Sequence, residues 1–540
     1  MKIHKYKTTS YFVKVLFLIG GMWGIHSCTD NFTEYNTDKT QIMEVGTTQL
    51  TGLFSRSEIQ GVSWLSTDNY SRMSSEVANH FCGYIATGQT SQEENVMHAS
   101  HQRRGWQAIY SKAYPALQSI FDVVDDQEAT YNVALVWKVF LLHRMTDLWG
   151  PVPYTEAGSG QETVAYDSQK DIYYKMFEEL DAAVTALTAA LKDNSVLTVF
   201  GTGDMIYSGD VSKWIKFANT LRLRLAIRIS NIDPDKAQAE AEAAIAGETM
   251  DSNDDDALLD VTAWADGGNG MPRMNSFNTN VMSASMESVL KGYRDPRMQE
   301  FFSPVDASNI PDDYPELQKN NGGYHGMANG YEPSYVNFIS GMAFSFYGPR
   351  FEDGNQQVTP INVINSAETW FLKAEGAWRG WNMGGTAQEF YEKGIEISIK
   401  QWREGEISDD SIQNYINSTL TPVAPDNYPY DDPAMTDIPV KFSSDSEEQY
   451  EQIMTQKWLA LWPISFEAWA EYRRTRLPNI YAKKYSANAN VLPSKGQIVT
   501  RLPFSTDEAS SNTEEVNKAI EFIGGEDLET IPLWWDVNDN

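Results

Sequence analysis

Bulky apolar residues recur every three or four positions through most of this chain, a spacing that matches an α-helix and not a strand. Trp106, Tyr110, Ala113, Leu117, Ile120 and Val124 form one such stripe. Trp214, Phe217, Leu221, Leu225 and Ile229 form another, with Asp210 and Ser212 placed to cap its start. Phe371, Ala374, Trp378 and Trp381 make a third. After a turn at Gly384 and Gly385, Ala387, Phe390, Gly394, Ile395 and Trp402 make a fourth. Tyr450, Ile453, Met454, Lys457, Trp458, Leu461 and Trp462 are broken by Pro463 and resumed by Phe466, Trp469 and Tyr472. Residues 133–145 are apolar on nearly all sides, yet too short to cross a bilayer and interrupted by Lys138, His143 and Arg144, so they predict a buried core helix. Paired stripes with bulky–small alternation and short turns predict a mainly α fold of tetratricopeptide-like helical hairpins, with no repeat of about 34 residues legible at fixed period.

The N-terminus reads differently. Lys2, Lys5, Lys7 and Lys14 precede an apolar run through Val15–Ile19, Met22, Trp23 and Ile25. A basic segment followed by a short apolar core is the pattern of an export signal. Residues 1–27 are therefore expected to be a signal peptide, and residues 28–540 the mature domain. In the run Ile25-His26-Ser27-Cys28, Ser27 and Ile25 resemble a lipoprotein cleavage site, and His26 departs from the small or apolar residue usual there. Cys28 is then the lipidation residue. Removing four lysines and no acid takes the formal charge from −32 to −36. Such a chain repels phosphate backbones and bare anionic membranes, so no nucleic-acid partner is expected and attachment rests on acyl chains. With Cys28 acylated, Cys82 has no partner for a disulfide within the chain.

Two stretches lack the helical pattern: residues 55–72 and a long loop-rich region, 251–360. In the second, aromatics are interleaved with glycine and asparagine, as in "WADGGNGMPRMNSFN" and "NNGGYHGMANGYEPSYVNF". Loops of that composition lie at the surface, where aromatics either contact ligand or pin the loop to the body.

No motif carries catalysis or a cofactor. The chain has no phosphate-cradling glycine loop, HExxH, GxSxG or paired CxxC. His98 and His101, with Glu93 and Glu94, have the residue types of a zinc site but fix no third-ligand geometry, and are read as a solvated helix face. "DSNDDD" at 251–256 lacks the glycine and glutamate a calcium loop needs and is read as a solvated acidic loop. No cofactor or metal is expected.

Five segments carry a resemblance: "CTDNFTEYNTDKT" (28–40), "RMTDLWGPVPYTEA" (144–157), "ETWFLKAEGAWRGW" (368–381), "YEKGIEISIKQW" (391–402) and "IMTQKWLALWPISFEAWAEYRRTRLPNI" (453–480), with "IPLWWDV" (531–537) at the end. Together they resemble the SusD/RagB family of nutrient-binding outer-membrane lipoproteins. The resemblance implies a surface-facing, lipid-anchored, non-enzymatic protein. It would deliver oligosaccharides, or alternatively peptides, to a SusC-like TonB-dependent transporter. It further implies a helical body with four tetratricopeptide-like hairpins. The family blocks themselves are read as structural, with Arg379 and the set Glu467, Glu471, Arg473 and Arg474 available for ion pairs. Sugar rings stack on Trp and Tyr, and their hydroxyls pair with Asp and Asn. On that basis the two non-helical stretches supply the candidate ligand contacts: Trp64, Asp68, Asn69, Tyr70, Trp264, Asp266, Asn269, Tyr324 and Tyr331. A surface glycoside hydrolase is the reading from a different class, since carboxylates are abundant and no pair stands out.

Overall fold

The computed structural model describes residues 46–64, 66–87, 99–193, 195–264, 267–276, 280–306, 308, 310, 317–330, 343–427 and 429–538. Cys28, Glu93, Glu94, His98, Asp266 and Tyr331 lie outside these residues, as does the expected signal peptide. The chain divides into two units, Met1–Gln49 and Leu50–Asn540. Of the first, residues 46–49 are described, and of these 47–49 are the opening of helix α1 (Thr47–Ser63); the second contains everything that follows.

The periodic stripes form helices with the expected ends. Helix α2 (Ala129–Trp149) is buried over most of its circumference and stops at Gly150, whose φ of 88° admits glycine readily. Its Lys138 reaches Glu179 on α3 (Gln169–Lys192) at 2.8 Å, which is how a lysine is accommodated on an otherwise apolar helix. Helix α4 (Val211–Arg228) is capped by Asp210, which accepts the Ser212 and Lys213 amides, and packs on α5 (Pro234–Ile245). Helix α7 (Ser366–Trp378) pairs with α8 (Ala387–Arg403), whose start is a reciprocal Thr386–Glu389 capping box. Helix α9 (Ser446–Ala460) ends before Pro463, and α10 (Ser465–Thr475) resumes after it. Helices α2 with α3, α4 with α5 and α7 with α8 are thus neighbouring pairs, and α4 on α7 and α9 on both α7 and α8 join the pairs into one body.

The family blocks converge on a buried charge network. Arg224 grips Glu368 with two bonds, of 2.7 and 2.6 Å. Arg474 grips Glu375 in the same way, at 2.7 and 2.6 Å, and also reaches Glu471 at 2.7 Å. Lys457 meets Glu471 at 2.6 Å, and Arg228 pairs with Glu467. Burial raises the Glu471 carboxyl, but Arg474, Lys457 and Arg228 outweigh it and hold the group well below its ordinary range. Arg473 differs: it donates to the Asp147 and Thr500 carbonyls and lies 3.9 Å from the Trp469 ring centre. Burial lowers its guanidinium to about 9. Arg379 makes the expected ion pair, with Glu375 at 2.9 Å. Trp378 and Trp381, expected in the core, are half-buried against it, and Trp378 stacks on Tyr450 at 4.3 Å.

The two stretches expected to lack helix are corrected. Residues 55–63 continue α1, and Thr67–Tyr70 and Ser71–Ala78 are helical turns, the latter a π-helix. The apolar period is hidden because Ser57 and Glu58 occupy fully buried positions. Glu58 Oε2 accepts the Met205 amide there at 2.8 Å, and burial raises the carboxyl well above its ordinary range. The region 251–360 supplies β3 (Asn280–Met282), which pairs with β1 (Ile85–Thr87), and β2 (Ala257–Leu259), which pairs with β4 (Ile361–Ile364), both antiparallel. Helix α6 (Ala284–Tyr293) follows β3. Many aromatics of this region are core: Phe301, Phe302, Tyr347 and Phe351 all ring the buried Trp462. Burying about 200 Å² of that indole stabilises by about 5 kcal/mol. A second cluster includes Ala86, Val281, Val305, Leu317, Met327 and Phe344.

The acidic run 251–256 is anchored rather than solvated throughout. Asp255 pairs with Lys216 at 2.9 Å, Asp251 with Lys373 at 3.0 Å, and Asp256 accepts the Ser366 amide at 2.7 Å. Burial raises the Asp256 carboxyl to about 7. Cys82 is a buried free thiol whose titration burial pushes up.

Candidate functional site

The fold brings the two sequence-predicted stretches together. Thr67 Oγ1 donates to the Gly268 carbonyl at 3.3 Å, and Ser71 Oγ donates to the Gly270 carbonyl at 2.9 Å. The run "GGNG" makes this approach possible. A side chain at Gly270 would place its Cβ 2.5 Å from the Thr67 carbonyl oxygen, and one at Gly267 would collide with the Trp264 ring. Glycine is required at both positions by close approach.

Around this junction the predicted residues fall into distinct groups. Trp264 is half-buried and packed on the core. Asn69 is 5% exposed, and its side-chain oxygen accepts from the exposed Arg104 at 3.0 Å. Gln356 closes the far side, its carbonyl accepting the Asn269 amide at 2.7 Å. An indole, a hydroxyl, a guanidinium and amide groups therefore stand on the segments that meet at this junction. Arg104 and Gln356 were not legible in the sequence: Arg104 lies on the helix Ala99–Ala108, with nothing local to mark it, and Gln356 is brought in from a distant turn.

Three expected contacts are corrected to structural roles. Trp64 is fully buried, with the Arg144 guanidinium 4.5 Å above its ring and Phe466 at 5.3 Å, so it offers no face to a ligand. Its φ of 53° is rare for a large side chain and marks the turn ending α1. Tyr70 is 6% exposed, and burial pushes its hydroxyl up to about 12. Asn269 is 1% exposed and spends its amide on the Pro360 carbonyl and the Met271 N–H. The backbone of Asp68 belongs to the Thr67–Tyr70 turn. Tyr324 is half-buried on the strip 317–330 and packs against the main apolar core.

A separate cleft of about 230 Å³ lies where residues 80–83 meet 480–499. Phe81, Tyr472 and Tyr481 supply its aromatic surface, and Asn329 and Gln497 its amides. Neither tyrosine was singled out by sequence, because both follow the helical stripe of the last hairpin or its exit.

The SusD-like family profile, described as Susd and RagB outer membrane lipoprotein, matches residues 33–536. A chitin-binding SusD homolog from Flavobacterium johnsoniae superposes with a TM-score of 0.80 at 31% identity, covering 91% of this chain and 99% of that one. A SusD homolog from Bacteroides vulgatus gives 0.78 at 28% identity, covering 92% and 98%. A further chitin-binding protein gives 0.74 at 27% identity, covering 91% and 100%. No sequence match is found among curated proteins. A family match over nearly the whole length, carried by the same segments that build the helical body and its buried charge network, leads to one conclusion: this chain belongs to the SusD-like family of outer membrane lipoproteins.

Proposed function

We propose that this protein is a cell-surface lipoprotein, anchored through Cys28, that binds a glycan and passes it to a SusC-like TonB-dependent transporter without chemical turnover. The observation that carries the glycan reading is the junction: the half-buried Trp264 stands on the segment whose Gly268 meets Thr67, and the exposed Arg104 bonds Asn69 on the facing segment. An indole face suits the C–H face of a sugar ring, and the surrounding donors and acceptors suit its hydroxyl and acetamido edges. Two chitin-binding relatives favour a glycan over a peptide and make N-acetylglucosamine oligomers the first ligand to try.

The test is titration calorimetry against chitin oligosaccharides, a panel of neutral glycans and a set of basic and neutral peptides. One glycan class is expected to bind. Trp264→Ala is expected to weaken it by about 2 kcal/mol, roughly thirtyfold, as removal of a central aromatic anchor does. Undiminished affinity in Trp264→Ala with loss in Tyr481→Ala would move the site to the cleft. Binding of peptides alone, or release of reducing ends from the bound glycan, would replace the reading. For the anchor, labelled fatty acid should enter the wild type and not Cys28→Ala. For the partner, a large TonB-dependent barrel should co-purify from solubilised outer membranes.

A further inference from the structure

Glu287, His325 and Asp426 come from three segments far apart in sequence and meet outside the junction. Glu287, on α6, is fully buried. Its Oε2 accepts the Gly326 N–H at 2.7 Å, its Oε1 accepts from Lys291 Nζ at 2.6 Å, and the main chain of Asp426 bonds to it as well. His325 is 7% exposed, and its backbone is fixed by Ser345, whose hydroxyl accepts the His325 N–H at 3.0 Å. Asp426 is half-exposed and holds Lys319 at 2.9 Å.

The informative atom is His325 Nδ1. It is buried and makes no hydrogen bond, although it faces Glu287 Oε1 at 3.6 Å and Asp426 Oδ2 at 3.8 Å. Those separations exceed a hydrogen bond of about 2.7–3.2 Å. They approach the edge of about 3.4 Å that ligands span around a tetrahedral centre with bonds of about 2.1 Å. One atom from each of the three side chains lies within 4.8 Å of the other two. A buried nitrogen without a partner is costly to leave so, and a bound cation would supply its missing partner.

We propose that Glu287, His325 and Asp426 bind a divalent cation of the zinc type. One imidazole and two carboxylates match a borderline cation, whereas calcium takes six to eight oxygens. Lys291 and Lys319 neutralise the two carboxylates when no cation is bound, and each carboxylate keeps further lone pairs. The exposed side of Asp426 leaves room for a water as the remaining ligand. The ion would tie α6, the strip 317–330 carrying Tyr324, and the connection before α9 into one unit.

The test uses the purified full chain, stripped with chelator, titrated with zinc chloride and then with calcium chloride. One zinc per chain is expected, with a rise in melting temperature that calcium does not reproduce. His325→Ala and Asp426→Asn should each weaken zinc binding at least tenfold, because loss of even an outer partner of a ligand costs about ten- to a hundredfold. Asp426 is half-exposed, so its variant keeps the fold should His325→Ala fail to. The chain's seven histidines offer zinc other places to bind. Equal zinc affinity in the wild type and Asp426→Asn, or no zinc-dependent rise in melting temperature, would overturn the proposal.

Discussion

Glu375→Gln is the sharpest probe of what holds the body together. The substitution keeps the shape of the side chain and removes its charge. Glu375 and Arg474 are both fully buried and joined by two charge-assisted bonds, of 2.7 and 2.6 Å. Arg474 keeps Glu471 at 2.7 Å, but Glu471 already serves Lys457 and lies 3.5 Å from Arg228. Glu471 would then be the one carboxylate left to Arg474, shared with the buried Lys457, while Arg228 keeps Glu467. Breaking a buried pair from one side costs about 3–5 kcal/mol, because the remaining charge stays desolvated. Unfolding entropy is about 2.1 cal/mol/K per residue. For the unit Leu50–Asn540 that sums to about 1 kcal/mol/K, so the loss lowers the melting temperature by only about 3–5 °C. Calorimetry resolves such a shift, and a guanidinium midpoint measured in parallel checks it. The exposed pair Lys518–Glu515, at 2.7 Å, is the control, and its loss should cost under about 1 kcal/mol. A Glu375→Gln protein melting within 1 °C of wild type would refute the claim that this network stabilises the fold through its charges. A double-mutant cycle with Glu471→Gln should show strong coupling, since both carboxylates share Arg474.

Other outcomes follow from individual sites. Asp256 titrates near 7 when folded, against 3.8 as its ordinary value. The folded state holds that proton more tightly, so the associated stability is present below about pH 4 and lost as pH rises through 7, a change of about 4 kcal/mol. Asp256→Asn keeps an acceptor for the Ser366 amide and is expected to gain about that much on wild type between pH 4 and pH 8. A pH-independent difference in denaturant midpoint would count against it. Gly270→Ala should cost about 1–3 kcal/mol and weaken glycan binding by displacing the Thr67 carbonyl, and wild-type melting and affinity together would rule that out. Trp64→Ala should destabilise by about 3–5 kcal/mol through the cavity it leaves. Its affinity, measured well below the melting transition, should stay near wild type, and a selective loss of binding would return Trp64 to the ligand site.

The helical body was legible because its signals are local. Val133–Met145 reads as buried over a span of thirteen adjacent positions, and Asp210, Gly150 and Pro463 mark helix ends where they stand in the chain. The segment 55–63 was misread for the converse reason: Ser57 and Glu58 are core positions filled by polar residues whose partners are remote. Exposure was not legible either. Trp64 and Trp264 sit in similar glycine- and asparagine-containing surroundings, yet one is sealed beneath Arg144 and Phe466 while the other is half-buried.

The sequence by itself determined the helices of the periodic stripes, several of their caps and breaks, and the family, because periodicity, capping and recognisable segments each involve residues a few positions apart. Only the tertiary structure decided which aromatics face solvent, that Thr67 meets Gly268, and that Glu287, His325 and Asp426 share one gap. Those outcomes depend on how helices and loops distant along the chain pack, and packing assigns burial and partners to a side chain that its neighbours in sequence do not specify.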